Sequence, residues 1–286
     1  MMRSLCLWVI VGALAAPVAA APRLPGLHSR SAVVIDPTSG DELLAKHADD
    51  VRAIASTTKI FVALAVREHG IDLDGWTEIN RGDAYAARGG SRTRLGVGDR
   101  YTNRDLLRAM LIASDNRAPT ALARAAGLDP DQLVAAMNKV AHRLHLSHTR
   151  FTDPNGLRGN VSTARELALA LNEALADDVL RTIMAEPTAT VVAKSGRRIE
   201  YVSTNEPLRA NAWDVIGGKT GFTDAAGYCY VTAARIGGRE VVMAFLHSDG
   251  KLERFADFDR VAGWLAREPA ATQHPAEARS RVAADE

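Results

Sequence analysis

The sequence predicts an α+β fold, in which an antiparallel sheet is flanked by helices and carries an inserted, mainly helical lobe. Strand-like segments occur near the start of the chain and again in its last third. The segment between them has helical periodicity, and an amphipathic helix follows the last strand. We therefore expect one sheet that is built from both ends of the chain.

The first predicted element is a hairpin that leads into a buried helix. Ser31 to Ile35 is a β-branched run, Asp36 to Gly40 is a turn signal, and Glu42 to Lys46 is the return strand. Apolar residues then recur at helical spacing from Ser56 to His69, and Gly70 ends the pattern. The helix is expected to begin at or near Ser56.

The middle of the chain predicts further helices. They are Thr102 to Ala113, Asn116 to Ala126, Pro130 to Leu144 and Thr163 to Ala176. Thr102 with Asp105 is a variant of the capping box, and Asp129 and Ser162 are expected to cap the last two helices. The segment Phe151 to Gly156 contains Asp-Pro-Asn-Gly and is expected to form a loop, which either borders a groove or is simply a turn.

The last third of the chain predicts strands and a closing helix. Gly237-Gly238 is a hairpin turn signal, and Glu253 to Arg267 has one apolar face. The predicted strands are Thr190 to Ala193, Ile199 to Val202, Val215 to Thr220, Tyr228 to Ala234 and Val241 to Leu246.

The N-terminus predicts export from the cytoplasm. An uncharged run begins at Leu5, after Arg3, and small residues before Ala20 offer a cleavage site. We interpret residues 1–20 as a signal peptide, 21–268 as the folded domain and 269–286 as a disordered tail. A membrane anchor is the alternative, because the uncharged run extends to Ala21, but Pro17 disfavours it. We expect a periplasmic protein with no stable membrane anchor after signal cleavage.

Composition and charge exclude several classes of protein. The chain has 286 residues, of which 47% are hydrophobic and 24% charged, and these values are typical of a folded domain. With 35 Lys+Arg against 34 Asp+Glu, no strongly basic field argues for a nucleic-acid partner. Cys6 lies in the predicted signal peptide and leaves Cys229 alone, so neither a disulfide framework nor a Cys-based zinc site is expected.

Three short motifs occur in one order along the chain. They are Ser56-Thr57-Thr58-Lys59 at a helix start, Ser114-Asp115-Asn116 between two helices, and Lys219-Thr220-Gly221 on a strand. Each motif alone is common, but the ordered set in these contexts is typical of serine acyl-transferases of the penicillin-recognising type.

The first motif has a physical rationale as a nucleophile and its base. Ser56 and Lys59 are three residues apart on a helix, so the amine can reach the hydroxyl. A serine hydroxyl attacks only when a base takes its proton, and Lys59 can be that base if burial and a nearby cation lower its pKa. Lys219 is the candidate cation. The backbone N–H of Ser56, at the start of the helix, can stabilise a developing oxyanion.

On these motifs the chain resembles the low-molecular-mass penicillin-binding proteins, the D-alanyl-D-alanine peptidases of bacterial cell-wall maintenance. The resemblance runs from about Ser31 to Arg267 and includes the longer stretches 55–59, 114–118, 149–157, 162–167 and 218–223. It implies a transpeptidase/β-lactamase-like fold and makes residues 21–268 a serine D,D-peptidase domain. Its partners would be peptidoglycan stem peptides, with β-lactam antibiotics as covalent inhibitors, and no metal or organic cofactor is implied.

The resemblance also implies a role for each motif residue. The catalytic residues would be Ser56, Lys59 and Ser114, and the substrate-binding residues would be Asn116, Lys219, Thr220, Gly221 and Phe222. Ser56 would be acylated, Lys59 would act as its general base, and Ser114 would relay a proton to the leaving amine. Asn116 would bind the substrate amide, and Thr220 would hold a substrate carboxylate. Lys219 would tune the site electrostatically, and the N–H groups of Ser56 and Phe222 would form the oxyanion hole.

Within this family, two features of the sequence favour an endopeptidase that cuts D-Ala–diaminopimelate cross-links. The chain ends soon after the helix at Glu253 to Arg267, where the membrane-associated carboxypeptidases usually continue into a β-rich domain. Phe222 follows Lys219-Thr220-Gly221, where carboxypeptidases commonly have His. A D-alanyl-D-alanine carboxypeptidase is the alternative.

Other classes of protein are weaker alternatives. A β-lactamase needs a loop Glu to activate water, but the loop near Asp153 has none, and Glu166 lies in a helical first turn. A non-catalytic cell-wall-binding protein would normally have lost Ser56, Lys59 or Lys219.

Two charged clusters are not part of the three motifs. His142, His145 and His148 suggest either zinc or a polar helix end, and the second is favoured because no acidic or Cys partner is adjacent. Arg88, Arg92 and Arg94 either contact an anionic glycan or peptide or form a solvated loop.

Overall fold

The strands and helices occupy residues 24–267, which are the residues that the computed structural model describes. The predicted signal peptide and C-terminal tail lie outside the described residues. The strands are β1 (Ser31–Ile35), β2 (Glu42–Lys46), β3 (Arg52–Ala53), β4 (Trp76–Glu78), β5 (Arg100–Thr102), β6 (Val161–Ser162), β7 (Thr188–Val192), β8 (Arg198–Val202), β9 (Asp214–Thr223), β10 (Gly227–Ile236) and β11 (Arg239–Ser248). The helices are α1 (Lys59–Glu68), α2 (Arg81–Ala86), α3 (Asn103–Ala113), α4 (Ala118–Ala125), α5 (Pro130–Arg143), α6 (Ala164–Ala176), α7 (Asp178–Met184), α8 (Glu206–Ala210) and α9 (Glu253–Leu265).

The main sheet has five strands in the order β2-β1-β11-β10-β9. Strand β1 pairs with β11 in antiparallel register, with Ser31 opposite Leu246. Strand β9 is at the edge and pairs with β10, with Gly221 opposite Cys229. The predicted α+β class and the sheet from both chain ends are therefore confirmed.

Both faces of the main sheet are covered, and for this reason β1 is buried along its whole length. Val33 faces a large core that it shares with α1, α6 and the rest of the helical lobe. Val34 faces the opposite way, into a smaller core with Phe258 of α9. Within residues 24–267, no helix is both long and apolar enough to cross a bilayer.

Several predicted elements differ in detail from the structure. Strands β7 and β8 form a separate two-stranded sheet, since their pairing is local and does not reach the main sheet. The helix expected at Ser56 begins with a 3-10 turn (Ala55–Thr58) and becomes α-helical at Lys59. Helix α6 is capped by Thr163 and not by Ser162, whose hydroxyl lies 2.7 Å from Thr149 Oγ1.

Candidate active site

The 3-10 turn before α1 places the first motif at the centre of the molecule. Ala55 adopts φ 49°, a left-handed conformation that is uncommon outside glycine, and the turn then brings Ser56 and Lys59 together. Lys59 Nζ lies 3.0 Å from Ser56 Oγ. The Ser56 hydroxyl therefore has a base within hydrogen-bond reach.

The Lys59 amine is completely buried and has two further polar neighbours. Its Nζ lies 2.7 Å from Asn116 Oδ1 and 3.0 Å from the carbonyl oxygen of Asn155. Burial lowers the pKa of Lys59 to about 7, although the charges of Asp153 and Asp115 oppose this shift. When neutral, the amine donates its two hydrogens to Asn116 and Asn155, which leaves its lone pair facing Ser56. It can then accept the Ser56 proton.

The second lysine is close enough to Lys59 for the two charges to interact. Burial is the main cause that lowers the pKa of Lys59. Lys219 is itself buried, and its Nζ donates to the carbonyl of Thr220 at 2.9 Å. Burial, together with the charges of Lys59 and Arg254, holds the pKa of Lys219 well below its usual value. Burial is the main cause of the low pKa of Lys59, and the role of Lys219 as the neighbouring cation stays a prediction.

The second motif turns between α3 and α4. Ser114 ends α3 with φ 62°, and its buried hydroxyl has no hydrogen-bond partner among residues 24–267. The Asp115 carboxylate fixes the turn, since it accepts from the N–H groups of Arg94 at 2.7 Å and Arg117 at 3.0 Å. It also accepts from the Tyr201 hydroxyl at 2.8 Å. This turn holds Asn116 beside Lys59.

The loop predicted at 151–156 closes one side of the site. Its Asp153 carboxylate accepts hydrogen bonds from the backbone N–H groups of residues 155–158. This turn aims the Asn155 carbonyl at Lys59, and the Asn155 amide also donates to the Ala86 carbonyl at 3.0 Å. The sequence marked Asn155 as a possible groove residue but gave no sign of this bond, because a backbone carbonyl has no residue signature.

The third motif lies on the edge strand β9, against the turn that carries Ser56. A Cβ on Gly221 would lie 3.0 Å from Ser56 N, so glycine leaves this N–H uncovered. The Ser56 N–H donates no hydrogen bond within the described part of the chain. Thr220 Oγ1 lies 2.7 Å from Thr204 Oγ1, a partner that the sequence did not predict. An uncovered N–H beside a serine hydroxyl can bind a developing oxyanion.

The residue after the motif extends into solvent. Phe222 is 48% exposed, and its ring stacks on Tyr228 with the centroids 4.3 Å apart. The guanidinium of Arg254 lies 5.2 Å from the centroid of Tyr228 and donates to the carbonyl oxygen of Gly221 at 2.9 Å. Arg254 therefore ties α9 to β9, a contact that the sequence did not reveal.

The structure brings residues of all three motifs together, and a serine beside a buried amine suits acyl-enzyme chemistry. Residues 18–250 match the D-alanyl-D-alanine carboxypeptidase family, Peptidase_S11. The protein belongs to this family of serine D,D-peptidases.

Similar curated proteins include both endopeptidases and carboxypeptidases. The peptidase is 34% identical over 264 residues to a D-alanyl-D-alanine endopeptidase of Pseudomonas aeruginosa, which covers 92% of this chain and 85% of the relative. It is 31% identical over 244 residues to an Escherichia coli D-alanyl-D-alanine endopeptidase (84% and 78% covered). It is 34% identical over 230 residues to a D-alanyl-D-alanine carboxypeptidase of Mycobacterium tuberculosis (78% and 76% covered).

Solved structures confirm the predicted fold. A variant of the Streptomyces K15 DD-transpeptidase superposes on the peptidase with a TM-score of 0.79 and 28% identity, over 84% of this chain and 98% of that one. An evolved penicillin-binding protein homologue from Mycobacterium tuberculosis gives a TM-score of 0.77 and 30% identity, over 88% and 97%.

Of the three histidines at and after the end of α5, His148 is paired with a carboxylate. His148 Nδ1 lies 3.0 Å from the carboxylate of Glu166, which also accepts from the Thr149 hydroxyl at 2.6 Å. Among residues 24–267, no group of three or more His, Cys, Asp or Glu side chains is placed to hold a metal ion.

Proposed function

We propose that this peptidase is a periplasmic D-alanyl-D-alanine endopeptidase, which cuts D-Ala–diaminopimelate cross-links between peptidoglycan stem peptides through an acyl-enzyme. One observation carries the serine mechanism: Lys59 Nζ lies 3.0 Å from Ser56 Oγ, and its other two contacts are acceptors. A neutral amine in this position has only its lone pair left for the serine proton.

In the acylation step, Ser56 Oγ attacks the carbonyl carbon of the D-Ala residue and passes its proton to Lys59 Nζ. The carbonyl oxygen becomes an oxyanion, which is held by the N–H groups of Ser56 and Phe222. The C–N bond then breaks, and Ser114 relays the proton to the leaving amine. Water hydrolyses the ester in the second step, and the Ser56 hydroxyl is restored.

The remaining motif residues bind the substrate in this proposal. Asn116 binds the substrate amide and also holds Lys59 at 2.7 Å. Thr220 holds a substrate carboxylate, and its hydroxyl is oriented by Thr204 at 2.7 Å. The side of the groove that β9 forms is completed by Lys219, Gly221 and Phe222.

The endopeptidase assignment is supported by the two relatives of that name, at 34% and 31% identity. Phe222 supports it as well, because it follows Lys219-Thr220-Gly221 where the carboxypeptidases that the chain resembles commonly have His. A D-alanyl-D-alanine carboxypeptidase is the second candidate, since a relative of that name is also 34% identical.

Penicillin should inhibit this enzyme and not be turned over rapidly. The carboxylate of Glu166 is engaged by His148 and Thr149, and the acceptors in contact with Lys59 come from Ser56 and two asparagines. We therefore expect a long-lived acyl-enzyme, and rapid, repeated hydrolysis of penicillin would contradict the mechanism.

The test offers the protein a D,D-cross-linked muropeptide dimer and an uncross-linked pentapeptide in one tube. Mass spectrometry follows both substrates, and Ser56→Ala is the control. Dimer cleavage that is lost in Ser56→Ala would support the endopeptidase. Release of terminal D-Ala alone would favour the carboxypeptidase, and no change in either substrate would favour a binding role.

A further inference from the structure

A positively charged loop borders the site and is not used by the proposed mechanism. This cationic loop, residues 88–94, contains Arg88, Arg92 and Arg94 and no acidic residue. All three arginines are exposed, and none of their guanidinium groups lies within 4.0 Å of a carboxylate in the described part of the chain. Arg88 stacks on the Tyr85 ring at 4.8 Å, a contact that restrains its side chain without neutralising it.

The cationic loop is fixed directly against the second motif. A Cβ on Gly90 would lie 2.1 Å from Asn116 Nδ2, so the loop backbone passes immediately over the Asn116 amide. A few residues further on, the N–H of Arg94 donates to the Asp115 carboxylate at 2.7 Å. The loop is therefore anchored at two points, and Arg88 and Arg92 lie two residues to either side of Gly90.

We propose that Arg88 and Arg92 form a subsite that binds a free carboxylate of the stem peptide held at Asn116. The inference rests on the proposed function, which gives Asn116 the substrate amide. A stem peptide carries free carboxylates on its acidic residue and on its diamino acid, within a few bonds of its backbone amides. A guanidinium pairs with a carboxylate through two parallel N–H bonds, and these arginines have no competing carboxylate in residues 24–267.

The test measures binding and does not depend on turnover. Fluorescently labelled stem peptides, with free or amidated carboxylates, are titrated into Ser56→Ala protein with and without Arg88→Gln/Arg92→Gln. We expect the double substitution to raise Kd for the free-carboxylate peptide about three- to tenfold, and to leave Kd for the amidated peptide unchanged. The difference should shrink as salt is raised.

A control variant matches the lost charge. Arg104→Gln/Lys139→Gln removes two positive charges from α3 and α5, away from the loop, and should leave Kd for both peptides unchanged. Arg88→Lys/Arg92→Lys should recover part of the affinity, which a merely structural role of the arginines would not predict. Peptides amidated at one carboxylate at a time identify the group that is bound.

The outcomes separate this inference from the proposed function. Equal Kd values for the double variant and its parent, or an equal loss on free and amidated peptides, would overturn the carboxylate subsite. Failure of the active enzyme to cleave the cross-linked dimer would overturn the endopeptidase assignment instead, and it would leave the binding result as it was measured.

Discussion

Replacement of Gly156 by alanine should displace the turn that carries Ser56 while the rest of the fold is retained. Gly156 has φ 79°, and a Cβ there would lie 1.9 Å from the carbonyl oxygen of Ala55, the residue before Ser56. Gly159 is the matched control, because it has φ 70° but its nearest neighbour would be Thr152 Oγ1 at 3.4 Å. Both substitutions place an alanine in the left-handed conformation. Only the Cβ at position 156 would collide with the turn that carries Ser56.

The magnitudes follow from these distances. A left-handed alanine costs about 1–2 kcal/mol, which is the whole effect expected for Gly159→Ala. For Gly156→Ala the contact with Ala55 must open from 1.9 Å to at least an ordinary Cβ distance, a movement of roughly 1 Å or more. Steric overlap then adds about 1–3 kcal/mol. A misplacement of roughly 1 Å at a reacting group slows catalysis by about 100-fold, so acylation of Ser56 should fall by about that factor.

Two measurements test this reasoning. Urea unfolding gives the free energy of unfolding, and the rate of labelling by a fluorescent penicillin gives the acylation of Ser56. We expect Gly159→Ala to label at the wild-type rate and Gly156→Ala to label about 100-fold more slowly while still folding. Equal labelling rates for the two variants would refute the inference that this loop positions the nucleophile.

Three further predictions use the same assays. Because burial lowers the pKa of Lys59 to about 7, the amine loses its proton as the pH rises through this value. The acylation rate should therefore rise about tenfold per pH unit below pH 7 and level off above it. A rate that is independent of pH between about 5 and 9 would contradict this. Gly221→Ala places a Cβ 3.0 Å from Ser56 N and 2.9 Å from the Ile54 carbonyl oxygen, so it should slow acylation about 10- to 100-fold and also lower the urea midpoint. Arg124→Ala removes the cation 2.6 Å from the fully buried carboxylate of Asp83 and should lower the free energy of unfolding in urea by about 3 kcal/mol.

Local sequence signals were enough to predict the elements that have strong periodicity. Strands β1 and β2 were predicted with their observed bounds because a β-branched run, a turn signal and a return strand follow one another directly. The main-sheet strands β9, β10 and β11 were also found, although each is longer than predicted. Strands β7 and β8 were found as well, but hairpin signals report only the pairing of neighbours and could not show that these two leave the main sheet.

Helix α2 was missed although its signal was present. It has six residues, too few to show an apolar stripe, but Asn80 and Asp83 form a reciprocal capping box at its start. This helix matters for the site, because the Ala86 carbonyl receives the Asn155 amide that helps to hold the 153–158 turn. A capping box is easily overlooked when no periodic apolar pattern follows it. In this chain the overlooked capping box begins α2, which lies beside the active site.

The proximity of Ser56 and Lys59 was readable from the sequence, but the segments that enclose them were not. The motif spacing placed Ser56 beside Lys59, and the structure has the two atoms 3.0 Å apart. The sequence led us to expect that burial and a nearby cation lower the pKa of Lys59, but it did not show which segments bury the amine. Burial of Lys59 arises only when segments far apart in the chain close around it, at Asn116 and Asn155.

This origin of the low pKa explains why the base is built from distant segments. The pKa of the Lys59 amine is near 7 in the folded protein and about 10.4 in the unfolded chain. Between these two pH values the amine carries less charge in the folded protein than in the unfolded chain. The shift comes from exclusion of water, so it exists only while the helical lobe and the sheet edge are closed on Lys59. A partly open molecule would return the pKa of Lys59 toward its usual value and so lose its base. The Asn155 carbonyl and the Asn116 amide therefore do two things at once: they accept the two amine hydrogens, and they occupy the space through which water would reach Lys59.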